Sequence, residues 1–270
     1  MTCSRLGRNI DDMIERLSLL LKSQQQFIAH AAHELRSPLA NLYGELVHAL
    51  RRARDADEYR AAIEEALDST RRLKALAEDL LSLARLGADG RASADIAELD
   101  RVLGESVAAI TDEGAIHEVA VEVSCTPGIV VRGSGGDLSR MFRNLIENAV
   151  RHAPRGSVVR ASALATPTSV DVTIIDDGPG VPQSDRNRVF DPFFRGAHAR
   201  ASNQPGAGLG LTIARDIARL HGGDITLDSA SEGVGARFVV RLIAAAVLTA
   251  ALLPTVSRVR TSAVPEGTPQ

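Results

Sequence analysis

Aromatic residues are scarce in this sequence, which has no tryptophan and only 3 % Phe and Tyr. Its hydrophobic cores must therefore be aliphatic, and a platform for stacking single-stranded nucleic-acid bases is disfavoured. The two cysteines, Cys3 and Cys125, are far apart and have no His or Cys at ligand spacing, which argues against a disulfide framework and a zinc site and fits a reducing compartment. A net charge of −3 provides no overall field for nucleic acid or an anionic membrane. Any phosphate must be bound locally.

Long hydrophobic runs are also nearly absent. The N-terminus lacks the continuous apolar core of a signal peptide. The one extended run, 242–253, would span only about 18 Å as a helix, so we favour a strand end plus an interfacial or packed helix over a membrane span. The last stretch, 254–270, has no periodicity and is predicted to be disordered. With 270 residues, 44 % hydrophobic and 24 % charged, the chain resembles a globular protein of two domains.

The first part of the chain is predicted to be a helical hairpin. Apolar residues recur at alternating three- and four-residue spacings from Asn9 to about Leu50, and again from Ile63 to Gly87 after a polar link. One hairpin cannot cover its whole apolar stripe, so we expect two copies to form a four-helix bundle. Beyond it, strands are predicted at 119–123, 157–163, 170–175 and 237–242, and helices at 137–152 and 208–221. The fold class is therefore α+β.

The first chemical motif lies on the first helix. His33 and Ser37 are four residues apart and share one face, which the apolar pattern predicts to be exposed. Pro38 has no N–H to donate to the carbonyl of Glu34, which predicts a loosened or kinked helix one turn after the histidine. An exposed neutral imidazole is a candidate nucleophile because it has a lone pair, and Glu34 could orient the ring or accept its proton. A lone surface histidine is more often only a solvated side chain.

The surrounding sequence FIAHAAHELRSPL, residues 27–39, closely resembles the phosphoacceptor box of sensor histidine kinases. The resemblance implies that His33, rather than the nearby His30, accepts a phosphoryl group. It implies that Glu34 is the acid/base partner and that Ser37 stands where threonine is more common, so dephosphorylation of a partner stays possible. In this family the phosphohistidine donates to an aspartate of a response-regulator receiver, which docks on the helical hairpin.

A second motif, RNLIENA, places Asn144 and Asn148 on one face of a predicted helix with Glu147 alongside. Amide oxygens suit Mg²⁺ and add no negative charge beside a triphosphate. Arg151 lies one turn further and could meet phosphate, while His152 could pack against a base. Taken alone, two such asparagines are more often caps or solvated side chains.

Two glycine-containing motifs follow. In DDGPG, Asp176 ends a predicted strand, where its carboxylate could accept the exocyclic amine of adenine, and the glycines permit a turn. GAGLGL opens the helix 208–221 and places backbone N–H groups at a helix N-terminus, which suits a phosphate. It is not a Walker loop because no Gly-Lys-Ser/Thr follows. Neither motif is specific by itself.

In order, RNLIENA, DDGPG, FDPFFR and GAGLGL resemble the N, G1, F and G2 boxes of the histidine-kinase ATP-binding domain, an α/β sandwich shared with gyrase-type ATPases. The resemblance implies ATP as the substrate and Mg²⁺ held by Asn148 and Asn144. It places Asp176 at adenine and 196–205 in a mobile lid. The other residues that it assigns are Gly178 and Gly180 in the pocket, Arg195 at the γ-phosphate, and Gly206, Gly208 and Gly210 at the phosphates.

The resemblance covers about residues 8–243 and divides the chain. We expect the end of a HAMP-like signalling helix at 1–24, the dimerisation and phosphotransfer hairpin at 25–88, a linker at 89–97 and the ATP-binding domain at 98–243. Residues 244–270 have no counterpart. The resemblance also implies a longer parent in the bacterial inner membrane, with this region on the cytoplasmic side.

Two alternatives stay open from the sequence. An anti-sigma-type serine kinase would share the ATP-binding motifs, but it would lack the hairpin that carries HELRSPL. A non-enzymatic dimeric scaffold, or pseudokinase, would have lost residues from the four boxes, and the key residues are all present.

Overall fold

The computed structural model describes residues 2–51, 55–89, 95–196, 206–228, 235–247 and 257–261. The chain forms two compact units, Met1–Leu81 and Ser82–Gln270. Among the helices in these ranges, none combines the length and the apolar character needed to cross a bilayer.

The first unit is the predicted hairpin. Helix α1 spans Thr2–Leu50 and α2 spans Ala56–Asp89, so both predicted helices are confirmed, and α1 stays helical through Pro38. Asp55 Oδ1 accepts a hydrogen bond from the Glu58 N–H at 2.8 Å and caps the start of α2. The buried Ser69 of α2 donates its hydroxyl to the carboxylate of Glu45 in α1 at 3.2 Å, which ties the two helices together.

The second unit is built on a sheet of eight described strands. They run in the order β1-β3-β7-β5-β4-β2-β8, with β6 beside β7, and only β2 and β4 pair in parallel. Strand β7 is central, since it pairs with β5 on one side and with β6 and then β3 on the other. The bounds are β1 Ile96–Glu98, β2 Ala120–Cys125, β3 Ile129–Arg132, β4 Val158–Ala165, β5 Ser169–Ile175, β6 Asp224–Asp228, β7 Arg237–Val247 and β8 Ser257–Thr261.

Helices α3, α5 and α6 pack with the sheet to form the core. Their bounds, with that of the short α4, are α3 Leu99–Ala108, α4 Thr111–His117, α5 Gly135–His152 and α6 Gly210–Leu220. Alternate residues of the central strands are buried, because successive side chains point to opposite faces of a sheet. These residues are Val170, Val172 and Ile174 of β5 and Phe238, Val240 and Leu242 of β7. The predicted α+β fold, a helical hairpin followed by an α/β sandwich, is confirmed.

The other face of the sheet carries polar pairs. Asp171 of β5 lies opposite Arg241 of β7 and accepts two hydrogen bonds of 2.8 Å from its guanidinium. These bonds hold the pKa of Asp171 below its usual range. The pairing places the one charged residue of β5 opposite a charged residue of β7, on the face away from the core.

Of two predictions for the C-terminal region, one is confirmed in part and one is wrong. Residues 242–247 continue strand β7 as the predicted strand end, because they pair with β3 and β5, and the rest of the apolar run, 248–253, lies outside the described residues. Residues 257–261, predicted to be disordered, form β8 on the edge of β2. The predicted linker 89–97 also overlaps the last residue of α2 and the start of β1, while 90–94 and 248–256 lie outside the described residues.

Candidate functional site

The candidate phosphoacceptor lies on an exposed stretch of α1. His33 and Ser37 are exposed, as their spacing on the helix predicts, and Glu34 is half-buried. His30 is exposed as well, so accessibility alone does not separate the two histidines. The imidazole of His33 is thus accessible to a reacting group from solvent.

The candidate adenine site begins with Asp176, directly after β5. Its side chain is buried, and its Oδ1 accepts hydrogen bonds from the backbone N–H groups of Gly178 at 2.9 Å and Ala236 at 3.1 Å. Burial raises the pKa of Asp176, and the two hydrogen bonds act in the opposite direction. Within the described residues Oδ2 has no hydrogen-bond partner. One oxygen is therefore fixed by the backbone while the other is left to accept from a ligand.

The turn after Asp176 requires glycine at two positions. A Cβ atom on Gly178 would lie 2.6 Å from the carbonyl oxygen of His152, at the end of α5. Gly180 has a φ of +73°, and its Cβ would lie 2.9 Å from the carbonyl oxygen of Gly235. The N–H of Gly235 donates to the carbonyl of Gly178 at 2.8 Å. The DDGPG turn is thus packed between α5 and the residues that precede β7.

The two asparagines of α5 have different surroundings. Asn144 is buried and donates its amide N–H to the carbonyl of Gly210 at 3.1 Å, which ties α5 to the first residue of α6. Asn148, one turn later, is half-buried. The amide nitrogen of Asn144 therefore has a structural partner, and only its oxygen is left for an ion.

The FDPFFR segment packs against the glycine motif. The Phe193 N–H donates to the carbonyl of Gly208 at 3.0 Å. Gly208 has a φ of +73°, and a Cβ on it would lie 2.6 Å from the carbonyl oxygen of Phe194 and 3.2 Å from Cγ of Arg195. The aliphatic stem of Arg195 is therefore next to the glycine loop. The predicted lid lies outside the described residues from 197 to 205.

Contacts between the four motifs place them around one region of the second unit. Asn144 bonds to Gly210, and a Cβ on Gly206 would lie 3.3 Å from Nη1 of Arg151. These two contacts, and the close contacts of Gly178 with His152 and of Gly208 with Arg195, join residues that are far apart in the sequence. His33 belongs to the other unit.

Sequence reasoning missed two parts of this site. The N–H of Ala236 is one of the two donors to Asp176, and Gly235, with a φ of +65°, holds the DDGPG turn. The signal that could have found them is the Gly-x-Gly of EGVGARF, directly before the last predicted strand.

Two family models match the chain. A model described as the histidine kinase-, DNA gyrase B- and HSP90-like ATPase matches residues 133–246, and a model described as the His Kinase A (phospho-acceptor) domain matches residues 23–89. The first contains all four motifs of the candidate site, and the second contains His33. The ATPase model implies ATP binding by the second unit.

Curated relatives are similar over most of this chain. The sensor protein IrlS of Burkholderia pseudomallei is 35 % identical over 217 residues, which cover 80 % of this chain and 47 % of IrlS. The probable sensor histidine kinase TcrY of Mycobacterium tuberculosis is 32 % identical over 245 residues, covering 88 % of this chain and 51 % of TcrY. The chain spans about half the length of these curated relatives.

Solved structures lead to the same family. The mycobacterial sensor histidine kinase MprB is 30 % identical with a TM-score of 0.51, over 56 % of this chain and 98 % of the solved one. The Acinetobacter baumannii histidine kinase AdeS, 22 % identical, shares the fold with a TM-score of 0.63 over 79 % of this chain and 98 % of AdeS. The family predicted from the motifs is thereby confirmed: the chain belongs to the sensor histidine kinases of two-component systems.

Proposed function

We propose that this chain phosphorylates its own His33 with ATP and that the phosphoryl group then passes to an aspartate of a response regulator. The observation that carries the proposal is the set of contacts that bring the four motifs to one region of the second unit, which includes the buried carboxylate of Asp176. That carboxylate is held through Oδ1 by two backbone N–H groups. Its Oδ2 can therefore accept a hydrogen bond from the amino group of adenine without a change in the side-chain conformation. This arrangement supports nucleotide binding, and labelling of His33 distinguishes a kinase from a scaffold that only binds nucleotide.

The proposed reaction is an in-line displacement at the γ-phosphorus. A ring nitrogen of neutral His33 attacks with its lone pair, the bond from the γ-phosphorus to the β,γ-bridging oxygen breaks, and ADP leaves. The imidazole N–H then loses its proton, for which Glu34 is the adjacent acceptor. The family resemblance assigns Arg195 to the γ-phosphate, and the position of its stem next to Gly208 is compatible with that role. Positioning supplies most of the rate in such a reaction.

We propose Asn148, with the oxygen of Asn144, as the ligands of Mg²⁺. Neutral amide oxygens fit a hard cation that keeps several waters and binds triphosphate oxygens. The ion would neutralise charge on the β- and γ-phosphates. The hydrogen bond from Asn144 to Gly210 orients that amide, so Asn144 has both a structural and a proposed ligand role.

We propose that the functional unit is a homodimer formed by the hairpin. Several apolar side chains on its two helices are about half exposed or more in the single chain: Leu17, Leu21, Ile28, Ile63 and Leu67. Exposed apolar side chains that recur along both helices are unfavourable in water and favour an interface. Light scattering should give twice the chain mass, and a double substitution Ile63→Glu, Leu67→Glu should give a monomer.

The decisive experiment is incubation with γ-labelled ATP and Mg²⁺, scoring label that is acid-labile and alkali-stable. We expect label in the wild type and none in His33→Gln or Asn148→Ala. His30→Gln is the matched control, since it removes an exposed histidine of the same helix, and it should retain label. Label that survives His33→Gln would refute the assigned acceptor. Absence of label with intact nucleotide binding would favour a scaffold.

The proposed partner is a receiver domain. A solved protein of the same fold, the histidine kinase ThkA, has a crystal structure in complex with the response regulator protein TrrA. It is 20 % identical, with a TM-score of 0.63 over 85 % of this chain and 63 % of ThkA. Transfer is tested by adding candidate receivers to the labelled chain and following the loss of phosphohistidine. Ser37→Ala tests dephosphorylation, because it removes the hydroxyl four residues after His33.

We propose a bacterial inner-membrane sensor as the setting of these two domains. The support is the resemblance of residues 5–27 to the last helix of a HAMP module. The test is the DNA sequence upstream in the same reading frame. Encoded apolar segments of about 20 residues would agree with a membrane sensor, and a reading frame that encodes no such segment would contradict it.

A further inference from the structure

The FDPFFR segment is anchored by side chains that lie outside the four motifs. The ring of Phe190 packs edge-on against the buried ring of Phe238, with centroids 6.3 Å apart and an interplanar angle of 83°. The guanidinium carbon of Arg215 in α6 lies 4.5 Å from the centroid of the Phe190 ring. The hydroxyl of Thr212, also in α6, donates to the carbonyl of Phe190 at 3.0 Å. Both the ring and the backbone of Phe190 are thus held by α6.

Arg215 is itself fixed in orientation. Its Nε and Nη2 donate to the two carboxylate oxygens of Asp224, at 2.8 and 3.1 Å. A bidentate pair sets the plane of the guanidinium group. Arg219 also reaches Asp224, at 3.2 Å, but its side chain is 54 % exposed against 26 % for Arg215. The two arginines share a carboxylate, and in the part of the chain that the structure describes Arg215, unlike Arg219, lies over the Phe190 ring.

This anchor lies next to the proposed γ-phosphate contact. Phe190 begins the turn that ends at Arg195, and within this turn Phe193 donates to the carbonyl of Gly208. The Cγ atom of Arg195 lies 3.2 Å from the position of a Cβ on Gly208. A shift of Phe190 would therefore move Arg195 relative to the glycine loop.

We propose that Arg215 is a positioning residue for phosphoryl transfer, which holds Phe190, and through it the turn that carries Arg195, against the glycine loop. The inference rests on the proposed function. Arg215 acts through Phe190 and has no role at the adenine end of the pocket. Its removal should therefore affect the γ-phosphoryl group while leaving the adenosine and the first two phosphates bound.

The expected effect follows from the role of position in catalysis. A displacement of about 1 Å at a reacting group lowers a rate by up to about 100-fold, and interactions strongest in the transition state affect kcat more than ground-state binding. For Arg215→Gln we expect autophosphorylation at least about tenfold slower, an ADP affinity within about twofold of wild type, and a smaller ratio of ATP to ADP affinity. Arg215→Lys keeps the charge but not the planar fork, so its effect should be intermediate.

The test compares Arg215→Gln with Arg219→Gln, which removes the neighbouring partner of the same carboxylate. Labelling of His33 gives the rate, and calorimetry gives the affinities for ADP and for a non-hydrolysable ATP analogue. The inference predicts near wild-type values for Arg219→Gln. In a Phe190→Leu background, Arg215→Gln should cause little further loss, because the ring through which it acts is already absent.

Equal effects of the two arginine substitutions would overturn the inference, as would equal loss of ADP and analogue affinity in Arg215→Gln. If circular dichroism shows that Arg215→Gln is unfolded, Arg215→Lys decides by the same comparison. If the wild type binds nucleotide but does not label His33, the proposed function fails, and the affinity ratio alone decides the role of Arg215. Failure of the wild type to bind either nucleotide would reject both.

Discussion

Asp176→Asn should abolish most of the nucleotide affinity while leaving the fold nearly as stable as before. The substitution keeps the size of the side chain, and its amide oxygen can still accept from the N–H groups of Gly178 and Ala236. In place of Oδ2 the asparagine has an NH₂ group, which cannot accept a hydrogen bond from the amino group of adenine. A hydrogen bond to a charged group contributes about 1.5–3 kcal/mol, so ATP affinity should fall by about 10- to 150-fold.

The stability change has a sign that depends on pH. Burial raises the pKa of Asp176 above 3.8, so the folded protein favours the protonated carboxyl. The protonated carboxyl of Asp176 contributes its full stabilisation below the pKa of the unfolded state. This stabilisation is lost as the pH rises through the pKa of the folded state. Asparagine stays neutral, but it accepts weaker hydrogen bonds than a carboxylate does. At neutral pH these effects oppose each other, and we expect the free energy of unfolding to change by about 1 kcal/mol or less.

The assay is nucleotide binding with ATP and inosine triphosphate, together with thermal melts between pH 3 and 7. Inosine carries an oxygen in place of the amino group, so the new amide can donate to it, and Asp176→Asn should shift selectivity toward the inosine nucleotide. The melting temperature of the variant relative to wild type should rise with pH. Equal losses of affinity for the two nucleotides, or unchanged ATP affinity, would refute the placement of adenine at Asp176.

Three further predictions concern a glycine, a carboxylate and the C-terminal strand. Gly208→Ala places a Cβ at a φ of +73° and 2.6 Å from a carbonyl oxygen, so urea titration should show a loss of about 2 kcal/mol. Its control, Gly104→Ala in α3, has open space around the new methyl and should gain about 0.5–1 kcal/mol; equal effects would contradict the steric argument. The pKa of Asp224 is lowered by its hydrogen bonds to Arg215. The stabilisation of the fold by this carboxylate is therefore present above pH 3.8 and is lost as the pH falls. Asp224→Asn should therefore destabilise by about 1 kcal/mol at pH 7, after allowance for solvent screening, and by progressively less in melts below pH 4; a constant difference would argue against it. Deletion of 248–270 removes β8 from the edge of β2. It should lower the free energy of unfolding by on the order of 1 kcal/mol, and light scattering should show more association through the exposed edge. An unchanged melting curve together with an unchanged monomer–dimer profile would argue against this pairing.

Periodicity predicted the long elements because their side chains repeat over several turns or strand pairs. Helix α5 was predicted at 137–152 and spans Gly135–His152, and β5 was predicted at 170–175 and spans Ser169–Ile175. Strands of three to five residues, such as β1, β3 and β6, are too short for a reliable period. Their conformation depends on neighbours in the sheet that are distant in the sequence.

The same distinction separates what could and could not be predicted at the site. Asp176 was found because a carboxylate followed by glycines stands at a strand end, which is a local pattern. The donation from Ala236 and the contact of Arg215 with Phe190 join residues that are far apart in the chain, so no local pattern predicts them. The apolar composition of 242–247 is compatible with a helix as well as a strand, and pairing with β3 and β5 decides the outcome.

The position of β7 at the centre of the sheet has a consequence for how the protein is made. The hairpin of α1 and α2 has contacts between neighbouring segments and can form soon after it leaves the ribosome. Strand β3 cannot pair with β7 until the paired part of β7 has been synthesised, about 115 residues later. At roughly 5–20 residues per second that delay lasts about 5–20 s, during which the edge of β3 is unpaired. The second unit therefore depends on late completion of its sheet, and a nascent chain stalled before residue 237 should be more open to chaperones and proteases than its helical hairpin.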